Sequence, residues 1–185
     1  MPTASETTAT HWAFFSHAEA ETVEAVCERI FPSDDGKPGA RDIRVVTFID
    51  KATAEEDVAL RRCYRDGVKA LNNLCVELYS QEFAALSPEQ QDSVLERIDA
   101  SSEADHARAD DLLATFFALV WEHTIQGLFC DPGYGGNHDA LGWKLVGFPG
   151  AQWGYNAAQM KPGFDSTTIP IKTLDDLRRE LRRHD

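Results

Sequence analysis

Leu60, Tyr64, Val68, Leu71, Cys75 and Leu78 recur every three or four residues, the spacing of one face of an α-helix. A stripe this long needs other apolar faces to cover it, and the chain supplies them in the same period. Val23, Val26, Cys27 and Ile30 form one, Val94, Leu95 and Ile98 a second, and Phe116, Leu119, Val120 and Ile125 a third, with Gly127 at or close to its end. Residues 43–51 are β-branched enough to suit a strand. A lone strand would have nothing to pair with, however, and Val45, Val46 and Ile49 can share a helical face, so this segment too is expected to be helix. Ser16 with Glu19, Thr53 with Glu56, and Ser87 with Gln90 read as capping boxes, in which each side chain of the pair satisfies a backbone N–H at a helix start. Pro88 fits the first helical position. Pro32 and the turn residues Ser33-Asp34-Asp35-Gly36 close the first helix. Gly67 is the expected weak point of the long helix, and residues 100–111 are polar enough for a loop or a frayed helix entry. The expected fold is all-α: an irregular helical bundle with a long Gly/aromatic-rich loop and an extended C-terminal segment.

That loop follows the Phe116 helix. Residues 131–150 hold six glycines and two prolines interleaved with Tyr134, Trp143 and Phe148, which is too broken for a regular element and too aromatic for a linker. Glycine lets backbone approach backbone or ligand closely, and aromatics set on a rigid loop are what an interface uses as anchors. The loop is therefore read as the working surface. Residues 152–171 are irregular and carry Trp153, Tyr155 and Phe164. Thr173 then caps a last helix over 174–183, with Asp175 and Asp176 in its first turn and Arg178, Arg179, Arg182 and Arg183 further on, matching the helix dipole.

A length of 185 residues suits one domain, divided here into an N-terminal stretch 1–15 expected to be flexible, a helical unit 16–151, and a segment 152–185 with the C-terminal helix. The formal charge of −13 argues against a nucleic-acid or anionic-membrane partner. No apolar run is expected to reach the roughly 18 residues of a membrane span. The four cysteines (27, 63, 75, 130) match no zinc, iron–sulfur or redox spacing, and Cys27, Cys63 and Cys75, set among apolar helical positions, are read as small buried hydrophobes rather than disulfides. Asp34, Asp35 and Asp42 lack the alternation of a calcium loop. His123, Cys130 and His138, with Asp131 or Asp139, are donors zinc would accept, but their spacing fits no standard module, and a hydrogen bond from His123 to a loop carbonyl is expected instead. Gly133-Tyr134-Gly135-Gly136-Asn137 lacks the strand and lysine of a P-loop, so its glycines are read as tight turns that place Tyr134 and Trp143. No nucleophile elbow is present, and Glu122 and His123, adjacent on a helix, point about 100° apart.

His123-Thr124-Ile125-Gln126-Gly127, then Asp131-Pro132-Gly133-Tyr134-Gly135-Gly136-Asn137, then Gly142-Trp143-Lys144-Leu145-Val146-Gly147-Phe148-Pro149-Gly150 resemble, in that order, the gluconate 2-dehydrogenase subunit 3 family. The resemblance reaches back more weakly through residues 23–32 and 45–50 and stops near Ala151. It implies a non-catalytic small subunit that stabilises or matures a large, FAD-dependent sugar or polyol dehydrogenase of the glucose-methanol-choline type, as in gluconate 2-dehydrogenase or glucoside 3-dehydrogenase. In such complexes a cytochrome c subunit often takes part, and FAD sits in the partner, leaving no cofactor for this chain. The matched positions Asp131, Tyr134, Asn137, Phe148, Pro149 and Trp143 become the expected partner-binding residues, with His138 beside them. Many members carry a twin-arginine leader; residues 1–10 have neither a basic n-region nor an apolar h-region, so the expectation is a cytoplasmic protein as the sequence stands, or a periplasmic one if a leader has been removed. The competing expectations are an independent metal-dependent enzyme built on His123, Cys130 and His138, and a stand-alone helical interaction module.

Overall fold

The computed structural model describes residues 11–104 and 112–183. Seven α-helices run through them: α1 (His17–Ile30), α2 (Val45–Glu55), α3 (Val58–Tyr79), α4 (Pro88–Ala104), α5 (Leu112–Phe129), α6 (Leu141–Val146) and α7 (Leu174–Leu181). Among the described residues there is no strand, only isolated bridges at Asp34–Lys37 and Gly150–Lys172. The fold is all-α, and residues 43–51 contribute to α2 rather than to a strand.

The helix starts follow local chemistry where it is unopposed. Ser16 and Glu19 form the reciprocal box at α1. Ser87 N donates to Gln90 Oε1 (3.0 Å) and Gln90 N to Ser87 Oγ (3.3 Å) at α4, and Thr173 pairs in the same way with Asp176 at α7. Thr53 and Glu56 do not form the expected box. Val45, Val46, Ile49 and Thr53 share one buried face, so α2 runs through Thr53, whose hydroxyl is left without a partner. Asp57 caps α3 instead, accepting from Leu60 N at 2.9 Å. The polar stretch expected around 100–111 begins inside α4, which continues to Ala104; residues 105–111 lie outside the described residues.

The core is organised on α5, which packs against α1, α2, α3 and α4. Tyr64, Phe83, Phe116, Val120 and Leu128 are fully buried there. Gly67 is a slot rather than a weak point: a Cβ at this position would collide with the Phe116 ring. Leu78 and Ile125, expected to face inward, are exposed. The expectation of no membrane-length run is corrected as well, because α5 is 18 residues long with a mean hydropathy of 1.3. One side of it is nonetheless buried by the other helices, through Phe116, Val120, His123, Thr124, Gly127 and Leu128.

Ahead of α1 the backbone is caught by one buried carboxylate. Asp50 accepts from Ala13 N (2.7 Å), Phe14 N (2.9 Å) and Phe15 N (2.9 Å), so its oxygens are satisfied away from water. Phe14 and Phe15 enter the core, and the Arg61 and Arg65 guanidinium groups lie over the Phe14 ring.

Candidate functional site

The loop after α5 is held by side chains that bond to backbone, which is how an irregular segment satisfies its polar groups. Asp131 Oδ1 accepts from Gly133 N (2.9 Å) and its Oδ2 from Leu174 N (2.7 Å), so one carboxylate turns the chain and docks the start of α7. Asn137 has no exposed surface. Its Nδ2 donates to Cys130 O (2.8 Å), its Oδ1 accepts from Gly142 N (2.8 Å), and its own N–H donates to Gly127 O (2.9 Å). Those three bonds stitch the end of α5 to the start of α6. His138 N reaches Ile43 O (3.0 Å), tying the loop to the entrance of α2. Gly136 and Gly142 lie so close to the carbonyls of Gly127 and Leu128 that a Cβ at either would clash.

The stitching also explains a local strain. Asn137, Asp139 and Ala140 all have positive φ (45°, 52° and 56°), a conformation that costs a non-glycine residue on the order of 1–2 kcal/mol. Asn tolerates it best, and the bonds on either side hold the other two.

Trp143 is buried, donates Nε1–H to Phe129 O (2.8 Å), and meets Phe148 edge-on with ring centroids 5.3 Å apart. Pro149 is buried too, its carbonyl accepting from Lys172 N and Gln152 Nε2. The seven candidate residues therefore separate by surroundings. Asp131, Asn137, Trp143 and Pro149 brace the loop from inside; Tyr134 (57 % exposed) and Phe148 (45 %) face outward; His138 is half-buried with Nε2 3.5 Å from Asp139 Oδ2.

Beside Tyr134 and Phe148 in the exposed apolar set are residues that the sequence did not mark as surface, Ile125 among them having been expected inward. Trp121, Ile125 and Phe129, one turn apart, form a ridge along the outer side of α5, and Leu145 and Val146 are exposed on α6. Between them opens a groove of ≈ 550 Å³ lined by Phe129, Trp143, Val146, Gly147, Phe148, Pro149 and Ser166. The signal was in the composition of α5, which is apolar almost all round; such a helix needs cover on both sides.

The polar groups that suggested chemistry are placed differently from expectation. His123 bonds no loop carbonyl: its Nδ1 lies 2.8 Å from the Tyr64 hydroxyl, in a buried pair with near-parallel rings. Burial holds the Tyr64 hydroxyl far above its ordinary pKa, so it stays a phenol. With no other partner among the described residues, its O–H donates to Nδ1, leaving the proton of a neutral imidazole on Nε2. Burial also lowers the His123 pKa, against the pull of Glu122 and Glu56. Glu122 itself is exposed while His123 is inside, so the two diverge. His123 and Cys130 stand two helical turns apart, about 10 Å along the axis, and among the described residues no group of three or more His, Cys, Asp or Glu is placed to hold a metal ion. Burial pushes the Cys130 thiol up to about 11 and that of Cys27 to about 12. The loop N–H groups are engaged within the chain, Gly133 with Asp131, Tyr134 with Asp131 O, and Gly135 with Pro132 O, so they form no open cradle for a phosphate.

Charge divides the molecule along the same line. Residues 11–104 hold ten Lys and Arg against nineteen Asp and Glu, whereas residues 112–183, which include α5 and the loop, hold seven of each. Thirteen of the sixteen large exposed apolar residues belong to this second, balanced part.

A family model described as gluconate 2-dehydrogenase subunit 3 matches residues 17–150, from the first residue of α1 to the close of the loop. No curated protein and no solved structure matches the chain.

Proposed function

The chain belongs to the gluconate 2-dehydrogenase subunit 3 family, and from that premise we propose that it is the non-catalytic accessory subunit of a glucose-methanol-choline type, FAD-dependent sugar or polyol dehydrogenase. In this reading the large subunit takes a hydride from a substrate carbon onto its FAD, electrons leave toward a cytochrome or quinone, and this chain supplies a docking surface that stabilises or matures the flavoprotein. The observation that carries the reading is the exposed apolar ridge of Trp121, Ile125 and Phe129 on α5, together with the groove that Phe129 and Phe148 line at its end. This face is apolar, stiffened from beneath by Asp131, Asn137 and Trp143, and uncovered among the described residues. Rigid aromatics around a concave apolar centre are what protein interfaces use for affinity. Tyr134 and Phe148 make the contact, Asp131, Asn137, Trp143 and Pro149 hold them in position, and His138 is the polar contact at the edge.

The test is co-expression with the large flavoprotein encoded nearest to this chain, followed by size-exclusion chromatography with flavin absorbance and dehydrogenase activity read across one peak. Co-elution with flavin, together with a flavoprotein that is insoluble or inactive alone, is the expected result. Separate elution beside a fully active flavoprotein overturns the reading. The edge contact of His138 is placed at the rim of the flavoprotein's substrate entrance, and His138→Ala tests it: substrate affinity and turnover of the complex that stay unchanged remove His138 from that entrance.

A further inference from the structure

The family match stops at Gly150, but the fold continues into a loop tied at its neck. Ala151 N donates to Lys172 O (2.7 Å) and Lys172 N to Pro149 O (3.1 Å). Gln152 Nε2 bridges Pro149 O and Pro170 O (2.8 and 3.0 Å) across the same neck. Trp153 Nε1 donates to Glu180 Oε2 (2.8 Å), whose other oxygen pairs with Lys172 (2.8 Å), fastening the loop to α7. Inside the loop, Asn156 Oδ1 accepts from Ala158 N and Gln159 N, and Asp165 Oδ1 accepts from Thr167. The loop is thus ordered by its own polar groups, as compact Ω-type loops are. Apart from the Trp153 indole N–H, its large apolar side chains take little part in that order. Met160 is 71 % exposed, Trp153 61 %, and Tyr155 and Phe164 are exposed as well; within residues 151–170 only Ile169 is buried.

We propose that residues 152–170 are a docking arm that clasps the large flavoprotein subunit, extending the α5 and loop face beyond the family domain; the inference rests on the accessory-subunit reading above. Continuity supports it. Pro149 and Ser166 line both the ≈ 550 Å³ groove and a neighbouring hollow of ≈ 310 Å³ bordered by Tyr155, Met160 and Phe164, and Ser166 Oγ welds the two by donating to Gly147 O (2.6 Å). Charge supports it too. The arm carries only Lys161 and Asp165, so covering it with a protein surface removes few charges from water, and Trp, Tyr, Phe and Met are the residue types enriched at interfaces. A lipid surface would instead be met by basic residues among the aromatics, and anionic headgroups repel a chain of formal charge −13. Self-association would bring two such charges together.

The deciding variant is Y155S/M160S/F164S, which leaves Trp153 and its bond to Glu180 in place. Affinity for the purified, FAD-loaded flavoprotein encoded nearest to this chain is measured by titration calorimetry, with thermal unfolding of each chain alone as the control. The expected result is an unchanged unfolding midpoint and binding about 30-fold weaker or more, as for loss of several aromatic contacts. If the triple variant unfolds, M160S alone decides, with an expected loss of about fivefold. Equal affinity of wild type and variant overturns the arm and leaves the accessory-subunit reading standing; a wild-type chain that does not bind the flavoprotein overturns both. A wild-type dimer in sedimentation that the variant dissolves, or flotation with anionic vesicles that the variant loses, assigns the arm to another occupant and overturns the proposal.

Discussion

Asn137 shows how one buried amide can decide the shape of a surface twenty residues long. Asn137→Ala leaves Cys130 O and Gly142 N without their partner and puts a β-carbon residue at φ 45° without side-chain help. The expected loss is about 2–4 kcal/mol, read from the urea midpoint. Tyr134→Ala, by contrast, removes an exposed ring, with an expected stability change within about 0.5 kcal/mol and, if the proposed docking holds, a weaker complex with the proposed flavoprotein partner. Both positions stand in one motif, and sequence alone does not divide them, because the division depends on carbonyls that only the folded loop brings near. His123 is a second case, since its partner Tyr64 lies fifty-nine residues away in the chain. Burial sets the His123 pKa below its unfolded value. Above that unfolded value, about 6.5, the ring is neutral in both states and nothing is lost. As pH falls through it, the unfolded chain takes a proton that the folded ring refuses, so stability declines on the acid side. Urea unfolding at pH 7.5 and 5.5 should show that decline in the wild type and a smaller one in His123→Gln.

Among the elements, those whose starts depend on neighbours in the chain were legible. The boxes at α1 and α4 and the Thr173 cap of α7 form as their residues predict, because each is complete within four positions. Thr53 and Glu56 carry the same signature and fail, since α2 has an apolar face to bury and runs on through Thr53. Asp57→Ala is accordingly expected to cost α3 about 1 kcal/mol in thermal unfolding. Gly67 separates propensity from packing. In an exposed helix a Gly→Ala change stabilises by up to about 1 kcal/mol; here the added methyl meets Phe116, and Gly67→Ala is expected to destabilise by about 1–3 kcal/mol. The inward half of α5 was readable from its period. Its outer ridge was not, because one apolar spacing serves a core and an interface equally, and only the placement of α1 to α4 shows which side is left open.

At the scale of the whole molecule, the all-α architecture was legible from helical period and punctuation, and the motifs between His123 and Gly150 pointed to the family that the comparison then identified. The acid excess of residues 11–104 was legible, but the gathering of exposed apolar side chains in residues 112–183 was not, since it depends on which residues fold to the outside. One consequence of the central position of α5 concerns time rather than space. Helices α1 to α4 precede it in the chain, so during synthesis they leave the ribosome with the Gly67 slot empty and their apolar faces uncovered. At about 5–20 residues per second, several seconds pass before Phe129 follows. A chain stopped after residue 111 should therefore be insoluble or lack cooperative unfolding, and a soluble, cooperatively folded fragment would refute that. In the nascent protein the last long helix is the keystone, and until it is in place the earlier ones depend on whatever chaperone shields them.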